Sequence, residues 1–334
     1  MGAAAVLLVG CGDGGSDTAA TTAQPPETTT TEKPAEPPKN LKTFEITLDG
    51  YPSPENVGVV LAQKRGYFED AGLEVSIHTP VTPLLPVKYV ADRSVDLSVT
   101  HQPQLVLAQE KGVPVVAVRS LVPQPTAAMI WLGKSKIEGI ADLKGKTIAI
   151  PGVPFQEDLL QAVLAKAGLS LTDVKVKQVE HLLVPALVSG RADAIFGGSG
   201  NVEGAELEAR GLEPVVTPVQ ELGVPAYEEL VVIARRDRLA EDPKSIRAFL
   251  GALARGTEEA IAEPEAAVEA LAEEALEPNR EAIEAGVEAT MPLLSPTGRM
   301  SPGRARALVA WMSKQGLIQS ELPASALLTN RYWK

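Results

Sequence analysis

Residues 43–78 read TFEITLDGYPSPENVGVVLAQKRGYFEDAGLEVSIH, and their pattern decides the fold. Phe44, Ile46 and Leu48 alternate with polar neighbours, the period of a half-buried strand. Residues 58–71 then follow a helical pattern, and Gly72 suits the left-handed stop of a helix. Residues 74–78 return to strand, with Val75 and Ile77 on one face. A strand–helix–strand unit of this kind belongs to layered α/β architecture.

The same alternation continues outward. Strands are expected at 96–100, 114–121, 126–132, 146–150, 174–179, 192–196 and 227–234. Helices are expected at 83–92 despite Pro86, at 104–111, 155–167, 181–189 and 203–210, with a short helical turn at 140–143. This repetition predicts mostly parallel sheets. The C-terminal third reads as helices at 243–262, 264–275, 280–289 and 302–315. Asp242 and Ser301 stand as caps before prolines at the first helical position. Glu258, Glu259, Glu269, Glu273 and Glu274 are read as solvated helix faces, not catalytic carboxylates.

The N-terminus reads as an address. Residues 3–9 are apolar but far short of the ~20 residues that span a bilayer. Leu8-Val9-Gly10-Cys11 resembles a bacterial lipobox, so residues 1–11 are expected to be a lipoprotein signal segment ending at a lipidated Cys11. No Lys or Arg precedes the apolar run, which points to an upstream start codon. Gly12 to Asn40 holds no Val, Ile, Leu, Met or aromatic residue, and residues 12–42 are expected to form a disordered tether. Residues 10–15 match G-x-G-x-x-G only formally, because no strand precedes them and no helix follows.

Bulk composition excludes several classes. The formal net charge of −12 over 334 residues gives no basic face for nucleic acid and no polybasic membrane patch. A single cysteine allows no internal disulfide. His78, His101 and His181 lack metal-ligand spacing, so neither a metal nor another cofactor is expected. Aromatic residues are only 4%, which draws attention to any ring near a strand end.

Several runs resemble the NMT1/THI5-like solute-binding proteins. They are residues 48–52, Gly58, residues 64–73, Gln102-Pro103, residues 122–125, 142–146, 151–154, 183–187 and 223–229. The resemblance spans roughly Thr43 to the C-terminus. It implies a periplasmic-binding-protein type 2 fold, with two α/β lobes, two crossing segments and a ligand cleft between the lobes. Residues 43–125 and 227–334 would form lobe 1, and residues 126–226 lobe 2. The implied function is capture of a small organic solute for an ABC importer, whose permease and ATPase would be the partners. The chain would be a monomer, lipid-anchored outside the cytoplasmic membrane.

The branch most resembled binds pyrimidine precursors of thiamine. It carries Trp where this chain has Gly50 and His where it has Asn56. It has Tyr-Trp-Asn-Trp-Glu where this chain has Ser199-Gly200-Asn201-Val202-Glu203. A roomier cleft is therefore expected. Riboflavin, taurine or an alkanesulfonate are the alternative solutes, and an orphan sensory lipoprotein is an alternative class. A THI5-like pyrimidine synthase is the enzymatic alternative, but that branch depends on a cysteine-rich motif that this chain lacks.

Ligands of open α/β sheets sit beyond the carboxyl ends of strands. That places Gly50, Tyr51 and Asn56 after the first strand, and His101 and Gln102 after another. Tyr51 reads equally as a stacking ring or a strand end, and His101 as a hydrogen-bond donor or a structural histidine. Pro154 and Phe155 open a helix whose free N–H groups suit a ligand oxygen. Ser199 and Asn201 follow a glycine-rich strand end where backbone can approach a ligand. Gln124 and Tyr227 fall at the two crossings, together with Glu229. Glu229 reads either as a partner for an amino-pyrimidine edge or as a hinge carboxylate. Trp131, Trp311 and Trp333 read as packing.

Overall fold

The computed structural model describes residues 40–275 and 279–332. Cys11, the signal segment and the tether up to Lys39 lie outside the described residues, as does Trp333. The strands run β1 (Lys42–Thr47), β2 (Leu73–His78), β3 (Leu97–His101), β4 (Val115–Val122), β5 (Ala127–Leu132), β6 (Thr147–Ile150), β7 (Lys175–Gln178), β8 (Ala194–Ser199), β9 (Pro214–Pro218) and β10 (Leu230–Arg235). They form two five-stranded sheets, ordered β2-β1-β3-β10-β4 and β7-β6-β8-β5-β9. Each sheet with its helices is one lobe. The chain crosses between them after β4 and again before β10.

Both sheets are mixed, which corrects the expectation of mostly parallel pairing. β1 pairs in parallel with β2 and β3, and β6 with β7 and β8. β10 is antiparallel to β3 and β4, and β5 is antiparallel to β8 and β9. The antiparallel members are the strands nearest the crossings. Each enters its sheet straight from the other lobe, without the helical crossover that makes neighbours parallel.

Other elements also differ from the sequence reading. Lys42 lies in the span expected as tether, yet it pairs with Leu73 and opens β1. The helix expected over 58–71 is two helices, Val57–Lys64 and Tyr67–Asp70, because Gly66 is left-handed at φ +70°. The helix around Pro86 begins at Pro86 itself, where the missing N–H costs nothing. β9 was not expected, since prolines stand at both of its ends; it is an edge strand, where proline is tolerated.

Strand side chains alternate between cores. Phe44, Ile46 and Leu48 pack with Phe68 and Phe249, whose ring centroids lie 4.8 Å apart. On β5, Met129 and Trp131 enter a second core with Phe155, Val231 and Ile233, so that core joins residues of both sheets. Ala128, Ile130 and Leu132 face a third. The helix Pro243–Ala262 is capped by Asp242, which accepts from the Ser245 N–H at 3.1 Å. It lies so close to Val57–Lys64 that a side chain on Gly256 would overlap the Gly58 carbonyl. These contacts hold the first strand end, and hence the loop after it, in a fixed position.

Candidate ligand-binding site

The carboxyl ends of β1, β3, β6 and β8 open into one cleft of about 180 Å³. Its lining comes from both lobes: Asp49, Gly50, Tyr51 and Glu55 from the β1 end, His101 from β3, Pro151 and Gln156 after β6, and Gly197 to Ser199 with Glu203 from β8. The lining contains no Lys or Arg among the described residues.

The loop after β1 is shaped by Asn56, which is 1% exposed. Its Nδ2 donates to Asp49 Oδ1 and to the Tyr51 carbonyl, both at 3.1 Å, and its Oδ1 accepts from the Ser53 N–H at 2.9 Å. Asn56 thus braces the loop and does not line the cleft. Next to it, Glu55 is buried and its Oε1 accepts from Asn201 Nδ2 at 3.1 Å. The same Nδ2 donates to Thr290 Oγ1 at 2.7 Å, so Asn201 ties the β8 lobe to two segments of the other lobe. Burial pushes the Glu55 carboxyl up to about 7, and the neighbouring Glu229 charge adds to the shift.

Glu203 leaves a π-helical turn, Gly200–Gly204, at the end of β8. Its Oε2 accepts from the Ser199 N–H at 2.7 Å, and burial raises this carboxyl to about 7 as well. Gln156, 4% exposed, donates from Nε2 to the Gly197 carbonyl at 3.0 Å. That bond fixes the amide orientation. It leaves Oε1 as a buried acceptor without a partner, on a residue that lines the cleft. Gly197, at φ +84°, has no room for a Cβ beside this amide.

The mouth holds two rings. Tyr51 is 56% exposed and meets the His181 ring edge-on, with centroids 4.8 Å apart at 70°. His181 also lies over Gly50, its Cε1 only 3.3 Å from where a Cβ would stand. The space expected from a glycine at position 50 is therefore taken by a histidine from the opposite lobe. Ser199 completes the wall, with its Oγ 3.1 Å from Thr126 Oγ1.

Behind the cleft, Glu229 joins the crossings. Its Oε2 accepts from the N–H groups of Thr126 (2.8 Å) and Ala127 (3.2 Å) and from the Tyr227 hydroxyl (3.2 Å). Its Oε1 lies 2.9 Å from His101 Nδ1. Burial opposes ionisation of both partners. The pair's mutual attraction outweighs it, raising His101 above its ordinary value and lowering Glu229 below its own. Burial also pushes the Tyr227 hydroxyl well up.

Of the residues expected at the site, the structure brings Gly50, Tyr51, His101 and Ser199 to the cleft wall. Asn56, Asn201, Tyr227 and Glu229 sit one layer behind, holding that wall. Gln102 is fully buried and accepts from the Glu228 N–H at 3.0 Å. Gln124 is exposed on the first crossing. Pro154 and Phe155 line a separate apolar pocket of about 340 Å³, and the Phe155 ring lies 5.3 Å from that of His101. Glu55, Gln156, His181 and Glu203 were not singled out from the sequence. A rule that takes the first turn after each strand end would have found Gln156 and Glu203.

Comparison with known proteins follows the same line. Residues 53–267 match the family described as NMT1/THI5 like. A Haemophilus influenzae protein described as a thiamine biosynthesis protein is 34% identical over 281 residues, 84% of this chain and 89% of that one. The formylaminopyrimidine-binding protein of Halalkalibacterium halodurans is 33% identical over 231 residues, 69% of this chain and 70% of its own. The periplasmic aliphatic sulphonate binding protein SsuA of Escherichia coli superposes with a TM-score of 0.67 at 18% identity, covering 86% of this chain and 92% of that one. The two-lobed architecture is thus the periplasmic-binding-protein fold, and by the extent of the sequence match the chain belongs to the NMT1/THI5-like family.

Proposed function

We propose that this chain is the solute-binding component of an ABC importer and that its solute is an amino-substituted pyrimidine, a precursor of thiamine. One observation carries the choice of solute. The cleft offers the carboxyl groups of Glu55 and Glu203 and the unpartnered Gln156 Oε1, with no Lys or Arg among its described lining residues and with His101 already paired to Glu229. Such a wall calls for a ligand rich in N–H groups. A carboxyl held near 7 suits the edge of an aminopyrimidine, because it donates its proton to the ring nitrogen and accepts from the adjacent amino group. A sulfonate or phosphate would meet carboxyls where it needs Arg, Lys or N–H donors. The formylaminopyrimidine-binding relative supports the same choice.

Binding without catalysis is the reading for the whole chain. The permease and ATPase are its expected partners, and Cys11 is the expected lipid anchor on the outer side of the cytoplasmic membrane. Glu203→Ala is expected to weaken formylaminopyrimidine binding at least ~10-fold, the ~1.4 kcal/mol of a charge-assisted contact. Titration calorimetry of both chains checks this. Equal affinities would remove Glu203 from the ligand contact.

A further inference from the structure

The cleft has a neighbour on its Pro83 and Pro151 side. Pro83 and Pro151, which line it, also line a second chamber of about 420 Å³, together with Thr82, Gly152, Gln178 and Glu180. The first chamber, at about 180 Å³, lies below the ~300 Å³ at which pockets for drug-sized ligands begin. It has space for a single ring and small substituents. The adjoining space is more than twice as large. Thr82 and Pro83 precede the helix Pro86–Ala91 of one lobe, whereas Pro151 to Glu180 belong to the other, so a ligand spanning both chambers touches both lobes in each.

The chemistry of the second chamber is polar. Gly152 stands at φ +85°, a conformation that glycine adopts without strain. The Gln178 side chain lies against it, with Cδ and Oε1 3.5 Å from where a Cβ would be. Its amide is therefore available along the chamber wall, beside the exposed carboxylate of Glu180 and the hydroxyl-bearing Thr82. No Lys or Arg lines the chamber among the described residues. An anionic substituent would meet Glu180 unopposed. A cationic or hydroxylated one would find acceptors.

We propose that this second chamber is a subsite for a polar, uncharged or cationic arm on the ligand, so that the protein takes an arm-bearing aminopyrimidine in preference to the bare ring. The inference rests on the aminopyrimidine reading above. Two probes separate the two. One is 4-amino-5-hydroxymethyl-2-methylpyrimidine, which fills only the first chamber. The other is thiamine, the same pyrimidine carrying a cationic hydroxyethyl-thiazolium arm.

Titration calorimetry of the full chain is expected to give thiamine at least ~10-fold tighter binding than the bare pyrimidine. Gln178→Trp obstructs the chamber. It is expected to remove that advantage while leaving the affinity for the bare pyrimidine within about two-fold. Glu180→Lys, an exposed change that leaves packing intact, is expected to weaken thiamine alone by about three-fold at low salt, and it decides the matter if the Trp variant does not fold. Equal affinities for the two probes, or an advantage that survives both substitutions, would overturn the subsite and leave the aminopyrimidine reading standing. Binding of neither probe would overturn both.

Discussion

Replacing Glu229 with alanine is expected to destabilise the folded chain by about 3–5 kcal/mol, the usual cost of breaking a buried ion pair from one side. The carboxylate is 2% exposed and accepts from Thr126 N–H, Ala127 N–H and the Tyr227 hydroxyl, with His101 on its other oxygen. Removing it strands two backbone donors at the first crossing and one hydroxyl at the second. It also leaves His101 without the charge that holds its pKa up. Because all these groups sit where the chain passes between lobes, the loss should appear in the cooperative unfolding of the whole described unit. Urea unfolding of the variant against the parent chain measures it. A loss under ~1 kcal/mol would mean that water or neighbouring groups replace the carboxylate, and that Glu229 is not the tie between the crossings.

The second large effect is a fall in stability as pH rises towards neutrality in the ligand-free chain. Glu55 and Glu203 are raised from the ordinary 4.5 to about 7, chiefly by burial. The folded chain therefore holds more protons than the unfolded chain between those values. By linkage, stability is greatest at the acid end of that window, falls as pH rises through it, and then levels off. For Glu55 the change amounts to up to about 3 kcal/mol.

Glu55 faces the negative charges of Glu229 and Asp49, and bonds from Thr126 and Asn201 only partly offset them. His101 acts in the same direction. Its raised pKa contributes stability below the ordinary 6.5 that is lost as pH rises through the folded value. Glu229 acts oppositely, since its lowered pKa contributes stability above 4.5 that is lost on acidification. Stability should thus peak near about pH 5 and decline towards about pH 8. Glu55→Gln should flatten the decline. A parent chain that grows more stable from pH 5 to 8 would contradict the burial of these carboxyls.

The fold was legible because it rests on local patterns. The alternation of Phe44, Ile46 and Leu48, and the capped prolines Pro243 and Pro302, each fix an element within a few residues. What the sequence hid depends on pairing at a distance. The antiparallel placement of β5 and β10 follows from which lobe the chain has just left, and no local period records that. The edge strand β9 was hidden by its own prolines.

The site divides in the same way. Gly50, Tyr51, His101 and Ser199 were found because they stand at or just after strand ends. Glu55 was missed because it sits in an unpatterned turn, and only the approach of Asn201, 146 positions away, gives it a role. Asn56, Tyr227 and Glu229 were identified as important, but the structure places them behind the cleft wall. A buried hydrogen-bonding residue and a ligand contact have the same composition at the level of sequence. His181 was weighed only as a metal ligand. Its position over Gly50 follows from two loops of different lobes meeting at the mouth.

The cleft is expected to select an N–H-rich heterocycle over an anion. Titration calorimetry of the full chain with formylaminopyrimidine and, separately, with an alkanesulfonate tests it most directly. Saturable binding of the pyrimidine is expected, with at least ~100-fold weaker binding of the sulfonate, a difference of ~2.7 kcal/mol. Tighter binding of the sulfonate would contradict it, because a cleft without Lys or Arg among its described lining residues would then have to hold a permanent anion beside two carboxyls.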